Sequence, residues 1–227
     1  MEGHPSSPGH INHNPMIFLD MDGVLTREIS SWNMVNLAMG VDNSQNYEKY
    51  KEGKINYDQF LRLDLENWVG SGKIISASSV KELLNSVELY PGAREGCRLL
   101  MENGYTPVIV SGGLLWLAER ISRELGIQHY FANLVMSRND EILPNGVAIV
   151  DPKNKGKIVE HMKRIHKPSF TVSVGDSPDD ESMFTSTDYF ISFNNKKEFR
   201  RPNGYDLKAD NFMEIAKIAL EIRRKHS

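Results

Sequence analysis

MIFLDMDGVLT, residues 16–26, decides how the rest of the chain is read. Its first five residues are a short apolar run that stops at an acid, the pattern of a buried strand. Asp20 and Asp22 lie two apart, so on an extended backbone their side chains point to the same side. Two close carboxylates repel unless a cation or a shared proton relieves them. In open parallel sheets ligands bind beyond the carboxyl ends of the strands, which is where this acidic pair is expected.

Downstream, residues 30–90 read as helix after helix. Ser30 or Ser31 can cap a segment with Trp32, Val35, Ala38 and Met39 on one face, stopped by Gly40. Asn56 can open a second, carrying Tyr57, Phe60, Leu61, Leu65 and Trp68 at helical spacing before Gly70. Ser79 with Glu82 forms a capping box for a third. The sole strand candidate among them is Ile74–Ile75. After Tyr90-Pro91-Gly92 the pattern changes to alternation. A helix over 93–103 precedes the strand TPVIV (106–110), the turn Ser111-Gly112-Gly113 and a helix over 114–125. Further strands are expected at 130–137, 147–150, 170–175 and 189–193, and further helices at 155–165, 179–185 and 211–224. Alternation with continuous apolar strands indicates a parallel sheet covered on both faces. The expected fold is a Rossmann-like α/β core built from 16–29 and 91–227, with a helical cap domain, 30–90, inserted after the first strand. Residues 1–15 read as a disordered tail or tag, and the spacing of His4, His10 and His13 matches no structural metal site.

Composition narrows the possibilities further. At roughly 150 residues per domain, 227 residues amount to about one and a half domains. With 40% hydrophobic and 25% charged residues the chain is globular and not disordered. Thirty acidic residues against 27 basic ones, a net charge of −3, argue against a nucleic-acid partner. The longest uncharged apolar-rich run, Pro107 to Ala118, is too short to span a membrane. The absence of a signal-like apolar region and the single cysteine, Cys97, fit a reducing, cytoplasmic location. Cys97 lies on the apolar face of its helix and reads as a packed thiol. Oligomeric state is not encoded in any recognisable pattern.

Polar residues follow the expected strands one after another: Asp20 and Asp22, then Ser111-Gly112-Gly113, then Gly175-Asp176 with the pair Asp179–Asp180. Converging carboxylates suit a hard divalent ion with oxygen ligands, and Mg²⁺ accepts one or two carboxylates plus waters and phosphate. Ser111, the glycine N–H groups and the following helix start form an anion cradle. A metal beside an anion cradle is equipment for phosphoryl transfer. A calcium loop does not fit, because Val24 stands where a third ligand is needed. A phospho-accepting receiver domain does not fit either, since it lacks a helical insertion of this size.

The succession FLDMDGVLT, VSGG, NKGKIV and VGDSPDD resembles the four motifs of the haloacid dehalogenase superfamily of phosphohydrolases, over Met16 to about Asn194. The insertion, with EGKINYDQFLR, ELGIQHYFAN and NKGKIVE elsewhere, is similar to the phosphoserine phosphatase branch. The resemblance implies a hydrolase that cleaves a small phosphorylated metabolite through an aspartyl-phosphate. Asp20 would be the nucleophile and Asp22 the general acid and base. Mg²⁺ would be held by the Asp20 carboxylate, the Asp22 backbone carbonyl and Asp176, with Asp179 and Asp180 in supporting positions. Ser111 and Gly112 would bind phosphoryl oxygens, and Lys155, in preference to Lys157, would neutralise charge.

The resemblance departs at substrate selection. Where the branch carries an arginine for the substrate carboxylate, this chain has Asp64, while Arg62 matches a neighbouring arginine. Glu28 stands one position before the branch's glutamate. A carboxylate facing a carboxylate disfavours phosphoserine, and Glu28, Tyr57, Arg62 and Asp64 are the candidate specificity residues. The same machinery also fits a phosphotransferase or phosphomutase, and more remotely a phospho-ligand-binding regulator.

Overall fold

The computed structural model describes residues 13–70, 76–196, 199 and 202–226. Its strands are β1 (Met16–Leu19), β2 (Thr106–Leu114), β3 (His129–Arg138), β4 (Glu141–Val147), β5 (Thr171–Gly175), β6 (Tyr189–Phe193) and β7 (Gly204–Leu207). They form one sheet of seven strands in the order β4-β3-β2-β1-β5-β6-β7. Every pairing is parallel except β3–β4. β1 is central and buried on both faces: Ile17 and Leu19 pack into one cluster, Met16 and Phe18 into another. A strand whose alternate residues enter two cores must be apolar throughout, which is why MIFL shows no alternation. The ladder starts one residue before Met16, where the Thr106 N–H donates to the Pro15 carbonyl at 2.8 Å.

Register places the polar residues. Leu19 pairs with Ile109 of β2 and with Val174 of β5, so Asp20, Ser111 and Asp176 emerge at one sheet edge. The connection leaving β1 runs toward β2 and that leaving β5 runs toward β6, on the opposite side. Asp20 and Asp176 therefore flank the switch point where open α/β sheets form crevices.

Between β1 and β2 lie α1 (Ser31–Met39), α2 (Ser44–Lys51), α3 (Tyr57–Gly70), α4 (Ala77–Asn85) and α5 (Ala93–Glu102). The Ser30 side chain caps α1 by accepting from the Asn33 N–H, and Gly40 closes it in the left-handed conformation. Asn56 and Gln59 cap α3 reciprocally, each side chain accepting from the other's N–H at 2.9 Å. α2 was not expected, because SQNYEKYK has no apolar stripe; its buried Tyr50 packs against Tyr57 and Phe60 of α3, with ring centroids 5.3 Å away in both cases. α4 starts earlier than the Ser79–Glu82 box implied. Ser76 is its cap, accepting from the Ser79 N–H at 3.0 Å. The chain is held there by the β3–β4 turn: Ala77 N–H donates to the Asp140 carbonyl and Ser78 to the Asp140 carboxylate. The Ile74–Ile75 candidate and residues 1–12 of the expected tail lie outside the described residues.

The remaining helices are α6 (Leu115–Leu125), α7 (Gly156–His166), α8 (Glu181–Ser186) and α9 (Met213–Arg224), with 3₁₀ turns at Pro152–Asn154 and Pro178–Asp180. The strand expected at 147–150 is corrected. Val147 ends β4, which turns back on β3 through Asn139 and Asp140, both left-handed, the geometry of a tight hairpin. Val150 is instead held by the buried side chain of Asn133, which accepts from the Val150 N–H at 2.9 Å and donates to its carbonyl at 3.0 Å. β7 was also not expected; it is a four-residue edge strand. Leu61, Leu65 and Trp68 of α3 belong to the same apolar cluster as Ile17 and Leu19, so the insertion shares the sheet's core. Cys97 is buried in that cluster, where burial pushes its thiol up to about 12.

Asn133→Ala would leave the peptide groups of Val150 buried without these partners. A loss of at least about 2 kcal/mol is expected in urea denaturation; a change below about 0.5 kcal/mol would contradict the bracing role.

Candidate active site

One residue beyond β1, Asp20 is 5% exposed and aims into a cavity of about 640 Å³. Its Oδ1 accepts from the Met21 N–H at 2.7 Å and its Oδ2 meets Lys155 Nζ at 2.8 Å. Lys155 lies between the Pro152–Asn154 turn and α7 and also reaches Asp180 Oδ1 at 2.6 Å. Lys157 is exposed on α7, away from these acids. Burial works against the Lys155 charge, yet Asp180 and Asp20 hold the ammonium above the ordinary lysine range. Burial pushes the Asp20 carboxyl well above the carboxylate range; Lys155 pulls it back while Asp180 and Asp176 add to the rise.

Asp20, Asp176 and Asp180 each place a carboxylate oxygen within 4.8 Å of the others. Two glycines make room for this convergence. A Cβ at Gly23, whose φ is +79°, would lie 2.2 Å from Asp176 Oδ2, and one at Gly175 would lie 2.2 Å from Asp180 Cγ. Asp180 is fixed by Ser177, whose N–H and hydroxyl donate to Oδ2 at 3.0 and 3.2 Å. Burial, then Asp180, raise the Asp176 carboxyl to about 7. Three buried or half-buried acids facing one ammonium fit a hard cation with oxygen ligands. Asp180 clusters with Asp20 and Asp176, but Lys155 occupies its Oδ1 and Ser177 its Oδ2, and it does not line the cavity, whereas Asp179 does.

The Asp22 carboxylate does not join the trio. Its Oδ2 accepts from both the N–H and the hydroxyl of Ser31, each at 2.9 Å, at the start of α1. Its Oδ1 is buried with no hydrogen-bond partner among the described residues. Burial, opposed by Ser31, raises Asp22 to about 6. Ser31, which the sequence offers only as an alternative cap, also accepts from the Leu114 N–H at 3.1 Å, tying α1 to the end of β2.

Ser111 and Gly112 line the same cavity. The expected amide cradle is smaller than the sequence implied, because the Gly113 N–H donates to Ser111 Oγ and the Leu114 N–H is taken by Ser31. The Gly112 carbonyl accepts from Trp32 Nε1 at 3.0 Å, the Tyr57 hydroxyl at 3.1 Å and Asn133 Nδ2 at 2.8 Å. Ser111-Gly112-Gly113, expected as a turn, is the irregular end of β2, and the insertion is joined to it by two aromatic donors. Asn133 had one signal, an amide inside the apolar run YFANLV. A second tether, the Tyr50 hydroxyl donating to Asp151 Oδ1 at 2.5 Å, had none.

The four specificity candidates separate. Tyr57 and Asp64, seven apart on α3, share the face that lines the cavity. Arg62, two residues from Asp64, falls on the other face, where it is exposed and pairs with Glu66 at 3.2 Å. Glu28 is not among the residues lining the cavity; its carboxylate accepts from the Ile29 and Ser30 N–H groups. Asp64 is 3% exposed and accepts from Asn46 Nδ2 at 3.1 Å. Burial, opposed by Asn46 and Asn43, raises its carboxyl to about 7. An unfolded aspartate ionises near pH 4, so the stability held by neutral Asp64 is full below about pH 4 and is lost as pH rises through about 7. Asp64→Asn, which cannot ionise, is expected to lose less Tm between pH 4 and 7.5, by about 4 °C or more given 2–4 °C per kcal/mol at this size. Parallel Tm–pH curves would contradict the burial of a titrating carboxyl.

Comparison with known proteins agrees with this architecture. A family model of haloacid dehalogenase-like hydrolases matches residues 15–186. The phosphoserine phosphatase of Archaeoglobus fulgidus is 28% identical over 217 residues, covering 92% of this chain and 62% of that protein, so the chain spans less than two thirds of this relative. That of Methanocaldococcus jannaschii is 28% identical over 73% of this chain and 78% of its own length. Among solved structures, a phospho-aspartyl intermediate analogue of phosphoserine phosphatase superposes with a TM-score of 0.67 at 26% identity, over 80% of this chain and 87% of that one. A substrate-bound phosphoserine phosphatase complex gives 0.73 at 24% identity, over 89% and 97%, and shares the fold. Among the described residues no helix is long and apolar enough to cross a membrane. With the family model spanning the first strand, the insertion and the acidic cluster, the chain belongs to the haloacid dehalogenase-like hydrolases.

Proposed function

We propose that the chain is a Mg²⁺-dependent phosphomonoesterase that transfers the phosphoryl group of a small metabolite to Asp20 and then to water. One observation carries this reading: Asp20, held by Lys155, and Asp22, with a bare buried oxygen, open into one cavity at the sheet's switch point. A cavity of about 640 Å³ suits a small metabolite. The relatives named above are phosphoserine phosphatases, which supports the reaction class.

An Asp20 oxygen attacks phosphorus and the bond to the leaving oxygen breaks, giving an aspartyl-phosphate and an alcohol. Asp22, raised to about 6, supplies the proton to the departing oxygen. The ionised Asp22 then takes a proton from the water that attacks the aspartyl-phosphate, which releases phosphate and restores both acids. Lys155, already paired with Asp20, would also offset negative charge on the phosphoryl oxygens, and Ser111 and Gly112, which line the same cavity, would bind them. Asp20, Asp176 and Asp180 would hold the metal, which when bound stabilises charge on the transferring group.

Asp20→Asn is expected to lower kcat at least about a thousandfold while far-UV circular dichroism stays that of the parent. Phosphate release near the parental rate would remove Asp20 from the nucleophile's role. Removing divalent ions by chelation should stop phosphate release, and added Mg²⁺ should restore it. Undiminished turnover after exhaustive chelation would contradict the metal requirement.

A further inference from the structure

Asp64 is a buried acid facing a cavity with no cation to meet it. Its neighbours are the neutral amides of Asn46 and Asn43, and no ion pair to it occurs among the described residues. The nearest arginine in sequence, Arg62, turns to solvent. Among the described residues lining the cavity, Lys155 is the only basic one, and Asp20 and Asp180 already engage it. Asp42 adds a second carboxylate to the insertion's side of the same cavity, and Tyr47 and Phe60 add aromatic surface.

A carboxylate taken out of water without a counter-charge is unfavourable, and a ligand cation relieves it. Aromatic rings beside the acid add attraction for an ammonium group when it is desolvated. A ligand carboxylate would instead meet Asp64 and Asp42 with no arginine or lysine to compensate, which is repulsive in a site of low dielectric. Asp20 and Asp64 line the same cavity of about 640 Å³, so the phosphoryl end and the cationic end of one bound molecule would lie within a single space.

We propose that the substrate is the phosphomonoester of a small amino alcohol without a carboxylate, its ammonium group donating to Asp64 at the insertion's side of the cavity. This rests on the phosphomonoesterase reading and names the substrate class of that site. Asp64 acts here as a specificity residue, remote from the bond that breaks.

Phosphoethanolamine and O-phosphoserine differ only by the carboxylate, and glycerol 1-phosphate lacks the cation, so these three esters test the proposal directly. Measured with Mg²⁺, kcat/KM for phosphoethanolamine is expected to exceed that of each of the others at least tenfold. In Asp64→Asn, the ratio of phosphoethanolamine to glycerol 1-phosphate should fall at least tenfold, mainly through KM, since a remote contact contributes to ground state and transition state alike. Asp64→Arg should shift preference toward O-phosphoserine. Preference of the parent for O-phosphoserine or glycerol 1-phosphate would overturn the inference and leave the phosphatase reading intact, as would an Asp64→Asn variant that loses all three esters in equal proportion. If no ester is hydrolysed, the phosphatase reading itself fails. Calorimetric binding to Asp20→Asn then decides the inference, tighter binding of phosphoethanolamine than O-phosphoserine supporting it and the reverse order overturning it.

Discussion

The ammonium of Lys155, lodged between Asp20 and Asp180, is the contact on which the site depends. All three groups are at most 5% exposed, and a buried charge is tolerated only when it is paired and hydrogen-bonded. The pairing joins three distant parts of the chain: the end of β1, the approach to α7 and the turn after β5. One ammonium does not balance the acids around it, because Asp176 converges with Asp20 and Asp180. Burial first, and then repulsion among the acids, raises the carboxyls of Asp20 and Asp176, and the repulsion is what a divalent cation would relieve. Gly23 and Gly175 permit the convergence, since a methyl group at either would collide with an acid.

The insertion is bound into this arrangement at both acid and phosphate sides. Ser31, the first residue of α1, holds Asp22 and the end of β2 together, so placing Asp22, the proposed general acid, and starting the insertion are one structural event. Trp32 and Tyr57 anchor on the Gly112 carbonyl, which orients the peptide expected to meet the phosphoryl group. The insertion also leans on the β3–β4 hairpin through Asp140 and through the packing of α3 on β4. Residues of α1, α2 and α3 line the insertion's side of the cavity, opposite the acids at the sheet's edge.

Much of this was legible in residue order. MIFLD and the later apolar runs specify strands buried on both faces, and the Asp-x-Asp, Ser-Gly-Gly and Gly-Asp stretches fall where a parallel sheet exposes its carboxyl ends. What escaped was decided by tertiary contact. α2 has no stripe of its own and is positioned by Tyr50 against α3. The start of α4 is fixed by Asp140, 62 residues away from Ser78. VAIV reads as a strand by composition, but the hairpin turn at Asn139–Asp140 uses up Val147 and a single asparagine replaces the ladder at Val150. At the site, Asp180 and Asp179 are adjacent acids that sequence cannot rank; the turn capped by Ser177 sends one to the lysine and the other to the cavity wall. Arg62 and Glu28 stand close in sequence to family positions, but helical phase and local backbone contacts keep both out of the cavity.

Trapping the covalent intermediate tests the central claim most directly. Enzyme mixed with a substrate it turns over, quenched in acid within one turnover and digested, would be searched by mass spectrometry for a phosphoryl adduct. The adduct should lie on the peptide carrying Asp20 and be labile to hydroxylamine, as an acyl phosphate is. An adduct on another residue, or turnover with no adduct on any peptide under conditions that slow its hydrolysis, would contradict the account.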